Sequence, residues 1–169
     1  FSLQNVDSLD GLGYDEDISK RLRNRSVSIA QLRNVHDFTP LNTIPIITID
    51  YCENFHDLHQ VKNVKNLSVR YCKNVMMPSS ILKNQMVYLA GEMDKNLLYC
   101  FPDVEELNLV HAKGLESLEG LETLNKLKRI STSTDWKEKK TKGWELLKQH
   151  YMKFIYHKSS STIIYVKKR

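Results

Sequence analysis

Apolar residues in this chain recur on a twenty-residue period, and that constrains the fold more than any other feature. Segments beginning at Phe1, Val27, Ile47, Leu67, Val87 and Leu107 can be laid over one another, and five of the six share one template. The template is apolar, any, apolar, two of any, small apolar or Cys, two of any, apolar, two of any, apolar. Its residues are Ile47, Ile49, Cys52, Phe55 and Leu58 in one unit, Leu67, Val69, Cys72, Val75 and Pro78 in the next, and Leu107, Leu109, Ala112, Leu115 and Leu118 later. A fixed period of about 20 to 50 residues is the mark of a stacked, solenoid-like array. Such an array offers a surface more readily than a catalytic pocket.

Each unit opens with strict alternation, as in Ile47-Thr48-Ile49-Asp50 and Leu67-Ser68-Val69-Arg70, which predicts a short half-buried strand. The apolar spacing then changes to every third residue, as in Leu109, Ala112, Leu115, Leu118, Leu121, Leu124 and Leu127. That step suits a 3-10-like or loosely coiled return. One such unit cannot bury its apolar edge alone, whereas about three stacked units can.

The period has exceptions. At Val87 the inward site holds Glu92, and Lys95 to Phe101 reads as a helical turn with Leu97, Leu98 and Phe101 on one side. Residues 13–26 form a charged insertion. Beyond Leu107 the next strand fits best at Ile130. Thr141 to Gln149 then reads as a short helix, and Tyr151 to Tyr156 and Thr162 to Lys167 read as strands joined through Ser159-Ser160-Ser161. The expected organisation is repeats over 1–135 and a divergent terminal repeat or cap, with a short helix and basic strands, over 136–169. Phe1 falls inside a repeat, so the chain reads as a piece of a longer array.

Leu67-Ser68-Val69-Arg70-Tyr71-Cys72-Lys73-Asn74-Val75 and Ile47-Thr48-Ile49-Asp50-Tyr51-Cys52-Glu53-Asn54-Phe55 resemble the short, Cys-bearing units of leucine-rich repeat proteins. The resemblance covers roughly residues 1–135. It implies an α/β fold, a right-handed curved solenoid with a parallel β-sheet on the concave face and irregular, 3-10 or short helical returns on the convex face. It also implies protein recognition, as in substrate adaptors of ubiquitin ligases and in immune sensors. The chain departs from the usual pattern in one respect. Val6, Leu32, Cys52, Cys72 and Ala112 stand where a buried Asn ladder is usual, so the turn backbone must find hydrogen bonds elsewhere.

On such a face the outward positions include Ser28, Ala30, Thr48, Asp50, Tyr51, Ser68, Arg70, Tyr71, Tyr88, Ala90, Asn108, Val110 and His111. Tyr51 and Tyr71 are expected in one column with His111 two units later, and Asp50 beside Arg70. Tyr and Arg are favoured interface anchors. Asp50, Tyr51, Arg70, Tyr71, Tyr88, Asn108 and His111 are therefore the expected partner-binding residues, with small residues (Ser28, Ala30, Ala90) giving access. The same Asp50–Arg70 pair also suits a plain cross-strand ion pair.

Catalysis is not expected, because no G-x-S-x-G, Walker loop or H-E-x-x-H occurs. Cys52 and Cys72 with His56 and His59 have the look of a metal set, yet both cysteines occupy inward sites where a small buried residue belongs. No metal, cofactor or small-molecule substrate is expected. Three cysteines, an odd and small number, argue against a disulfide framework and for a reducing, cytoplasmic location. No apolar run approaches the ~18 residues of a membrane span. The net charge of +5 comes from the end of the chain, where Lys148, Lys153, Lys158, Lys167, Lys168 and Arg169 follow the last acidic residue, Glu145. That end is a second candidate, for an acidic surface or a nucleic acid.

Overall fold

Alternation of apolar and polar residues becomes strand wherever the computed structural model describes it, over residues 2–4, 6–10, 12, 26–73, 75–76, 82–92, 97–113, 117–133, 142–156 and 162–168. The strands are β1 (Ser2–Gln4), β2 (Ser26–Ala30), β3 (Ile46–Asp50), β4 (Asn66–Arg70), β5 (Met86–Glu92), β6 (Glu106–Lys113) and β7 (Arg129–Ser133). After β7 come one helix, α1 (Trp144–His150), and the strands β8 (Tyr151–Tyr156) and β9 (Thr162–Lys167). Together they form a mixed α/β arrangement around one open sheet of nine strands, in the order β1-β2-β3-β4-β5-β6-β7-β9-β8. No helix among the described residues is long and apolar enough to cross a membrane.

From β1 to β7 every pairing is parallel. From β2 to β5 the register steps by the repeat itself, with Val27 beside Ile47, Ile47 beside Leu67 and Leu67 beside Val87. The expectation of an all-parallel sheet is corrected at its end. There β9 pairs antiparallel with both β7 and β8, so the last two strands form a hairpin whose second strand docks on the sheet. With only five residues, 157–161, between them, β8 and β9 can pair only antiparallel, since a parallel crossover needs a dozen or more.

The core explains the repeat length. Ile47, Ile49, Cys52, Phe55, Leu58, Val61 and Val64 are all buried, as are their counterparts Val27, Ile29, Leu32, Val35, Phe38, Leu41 and Ile44. Each set takes one two-residue step along the strand and then three-residue steps around the return, and one more three-residue step reaches the next strand. Matching positions therefore stack, as Ile29 on Ile49, and between the same two units Phe38 meets Phe55, one step earlier in its return, edge to face at 5.0 Å and 73°. The returns contain short 3-10 helices at Thr39–Thr43, Leu58–Val61, Leu97–Cys100 and Leu121–Thr123. Asp side chains start two of them. Asp37 accepts from the Thr39 amide and hydroxyl, and Asp57 accepts from the His59 amide. The Thr39 donors hold the Asp37 carboxyl below its usual range.

Without an Asn ladder at the inward turn, the return backbone is satisfied by side chains of neighbouring units. Gln60 accepts from the Phe38 amide at 2.6 Å, Asn42 accepts from the Asn63 amide at 2.8 Å, and the Asn54 amide group donates to the Arg33 carbonyl. Asn84 is fully buried in the column otherwise held by Ile44, Val64 and Val104, and its amide donates to the Val61 and Val64 carbonyls. The thiols of Cys52 and Cys72 lie 3.5 Å from the carbonyls of Asp50 and Arg70. The insertion at 13–25, Pro78, Leu115, the side chains of Glu92 and Leu97, and the Ser159-Ser160-Ser161 link lie outside the described residues.

Replacing Phe55 by Ala is expected to cost about 3–5 kcal/mol, and Asn84→Ala about 1–3 kcal/mol through two abandoned carbonyls. Denaturant unfolding measures both, and a loss well under 1 kcal/mol for Phe55→Ala contradicts the packing. Burial raises the Cys52 thiol and pushes the Cys72 thiol up to about 12. Both should therefore resist alkylation in the native protein at mildly alkaline pH and react at once in denaturant, because the thiolate is the reactive form. Equal rates in the two conditions contradict the inward placement.

Candidate functional site on the outer face of the sheet

Three successive strands, β2 to β4, are left through a residue in left-handed backbone, and the matching place in β5 shares that conformation. Gln31, Tyr51 and Tyr71 have φ of +57°, +51° and +54°, and Gly91, next in the series, has +100°. The turn swings the following residue, such as Cys52 or Cys72, into the core, while the amide of the left-handed residue bonds across to the next strand. Gln31 donates to the Asp50 carbonyl, Tyr51 to that of Arg70 and Tyr71 to that of Ala90. Gly and Asn adopt this conformation cheaply, whereas a bulky side chain there costs about 1–2 kcal/mol. Two successive units nevertheless carry Tyr.

Register makes the two rings parallel. Tyr51 and Tyr71 stack with centroids 4.9 Å apart and planes 19° apart, and they remain 52% and 40% exposed. One residue back along the strands, Arg70 Nη2 donates to Asp50 Oδ2 at 2.7 Å. Asp50 Oδ1 and Arg70 Nε are covered yet have no hydrogen-bond partner. Tyr88 stands in the next row, beside Ser68, and its phenol is raised by burial first and by Tyr71 second, so it stays a neutral donor at physiological pH. The structure thus gathers Asp50, Tyr51, Arg70, Tyr71 and Tyr88 into one cluster.

The other expected residues are placed differently. A bulge between β5 and β6 sets Leu109 and Val110 together against Leu89, so His111 lies beside Ala90, in the row of Asp50 and Arg70. The expectation that His111 continues the Tyr51–Tyr71 column is corrected: that column runs on to Gly91 and Ala112. Asn108 faces Tyr88, but its side-chain oxygen already accepts from the Val110 amide and so supports the bulge. Ala90, expected to give access, is fully buried between Arg70 and His111 in its row. Ser28, Ala30, Thr48 and Ser68 are partly open.

Tyr88 also walls a groove of about 300 Å³ that crosses five strands at their entrance, with Ile46, Asn66, Met86, Glu106 and Arg129 along the other wall. The sequence reading started its template at the first inward residue and so passed over these. Parity alone places the residue before each inward one on the outer face. Met86 is 44% exposed there.

The other candidates are engaged elsewhere. Lys168 Nζ donates to the Lys148 and Gln149 carbonyls at the C-terminus of α1, and Lys167 Nζ to the Asn125 carbonyl. His56 Nδ1 lies 3.1 Å from the Lys73 carbonyl. Among the described residues no three His, Cys, Asp or Glu side chains converge as a metal site would need. Comparison with family models, curated proteins and solved structures found no match to this chain.

Tyr71→Gly exchanges about 1–2 kcal/mol of left-handed strain against about 0.5–1.5 kcal/mol of stacking, so stability should stay within about 1 kcal/mol of wild type. Gly91→Ala has no such compensation: a Cβ there would sit 3.2 Å from Tyr71 Cα at φ +100°. Thermal unfolding should show a clear loss for Gly91→Ala and little change for Tyr71→Gly; the reverse order contradicts this assignment.

Proposed function

We propose that this chain is a leucine-rich-repeat segment whose concave sheet face recognises a protein partner without catalysis. The observation that carries the reading is the stacked, exposed Tyr51–Tyr71 pair in unfavourable backbone beside the Asp50–Arg70 ion pair. A turn needs only Gly or Asn at these positions, so the rings are explained by something they touch outside the chain. Tyr and Arg together make large contact area with polar ends, the composition of binding hot spots. The groove beside Tyr88 adds an apolar trough with polar margins. In this reading residues 136–169 cap the solenoid, and the location is intracellular. The basic end gains less support as an acidic-surface binder, because Lys167 and Lys168 serve backbone carbonyls.

Affinity capture from cells that make the protein tests the proposal. The double variant Tyr71→Asn/Arg70→Ala, with unfolding temperature near wild type, should recover the specific partner at least about tenfold less well. Recovery of the same protein at undiminished yield overturns the reading.

A further inference from the structure

The column of left-handed residues runs Gln31, Tyr51, Tyr71, Gly91, and the register carries it on to Ala112. Its two rings stack at 4.9 Å, essentially the spacing of the strands that carry them. A ring at the next position would continue the stack, but the chain has glycine there. The three heavy atoms nearest to a Cβ built on Gly91 all belong to Tyr71, and the closest ring atom among them lies 3.8 Å away. Gly91 thus leaves the column without a side chain at the place next to Tyr71 on the side away from Tyr51.

We infer that this place is a receptor for one uncharged aromatic side chain of the protein partner, which lies on Gly91 and extends the Tyr51–Tyr71 stack by one ring. The inference rests on the protein-recognition reading above. Charge selects the class of occupant. Arg70, adjacent in sequence to Tyr71, places a cation beside this site and disfavours another there. Asp50 already holds Arg70 at 2.7 Å, so an anionic group would have to displace it. A neutral ring meets neither obstacle, and offset stacking on Tyr71 favours it over an aliphatic group of similar size. Tyr at two left-handed positions, followed by Gly at the third, is what such a ladder with one open place requires.

The test uses nitrogen-15-labelled full chain titrated with N-acetyl-L-tryptophanamide, N-acetyl-L-leucinamide and N-acetyl-L-argininamide. The tryptophan amide should shift the Gly91 and Tyr71 amide signals saturably, and the other two should bind at least about fivefold more weakly. Tyr71→Asn, which suits the left-handed turn, should abolish the response, while Tyr51→Asn leaves it within about threefold. Equal response to all three probes, a stronger response to the arginine amide, or no response at Gly91 overturns the inference. If the tryptophan amide fails while Tyr71→Asn/Arg70→Ala still loses the captured partner, the aromatic receptor is wrong and protein recognition stands. If the probe binds but capture is unchanged, both fall.

Discussion

Backbone hydrogen bonds that lock successive units one repeat apart are the constraint on which the rest of this structure depends. At the strand entrances the Asn66 amide reaches the Pro45 carbonyl, Gln85 reaches Lys65, Glu105 reaches Gln85 and Lys128 reaches Glu105. At the exits the direction reverses, and the Gln31, Tyr51 and Tyr71 amides donate to carbonyls of the following unit. Between these two rows of bonds, Ile47 must lie on Leu67 and Ile49 on Val69. A slip of one residue would turn every inward side chain to the outer face. The stacked core and the stacked tyrosines are therefore one consequence of one register. The core gains from it by burying like on like; the tyrosines are forced into contact by it.

On the return side, Asp37, Asp57, Gln60, Asn42 and Asn84 each supply a hydrogen bond that the backbone lacks. On the outer face the accounts stay open. Tyr51 and Tyr71 hold strained backbone, and Asp50 Oδ1 and Arg70 Nε are covered without partners. Unsatisfied and strained groups persist where the surrounding structure over-determines them, and they gather at sites of function. Asn84 Oδ1 and Thr132 Oγ1 are also covered without partners, so it is the meeting of strained tyrosines with an incompletely bonded ion pair on an exposed face that directs the functional proposal to Asp50, Tyr51, Arg70, Tyr71 and Tyr88.

Much of this was legible in the sequence because side-chain parity and a fixed period need no tertiary knowledge. The strands at Tyr151–Tyr156 and Thr162–Lys167 were readable to the residue, and the pairing of Asp50 with Arg70 followed from their separation by one repeat. What escaped were features that depend on a neighbour. The extra residue that displaces His111 arises from how β6 meets β5, and nothing in Leu109-Val110-His111 announces it. Docking of β9 rather than β8 on β7 is a choice between two apolar strands of equal length. Asn84 was hidden by its surroundings, a single polar residue in an apolar column, although the Asp-x-Thr and Asp-x-His starts of the returns at Asp37 and Asp57 were there to be read. The left-handed tyrosines gave no local warning at all, since Tyr is rare in that conformation.

Methyl and side-chain nuclear Overhauser contacts across the core test the register most directly. The account predicts contacts from Ile49 to Val69 and from Val69 to Leu89, with Ile47 touching Leu67 and Leu67 touching Val87. Contacts offset by one residue, with Ile49 methyls close to Ser68 and Val69 methyls close to Tyr88, would contradict it and dissolve the outer-face cluster with the core.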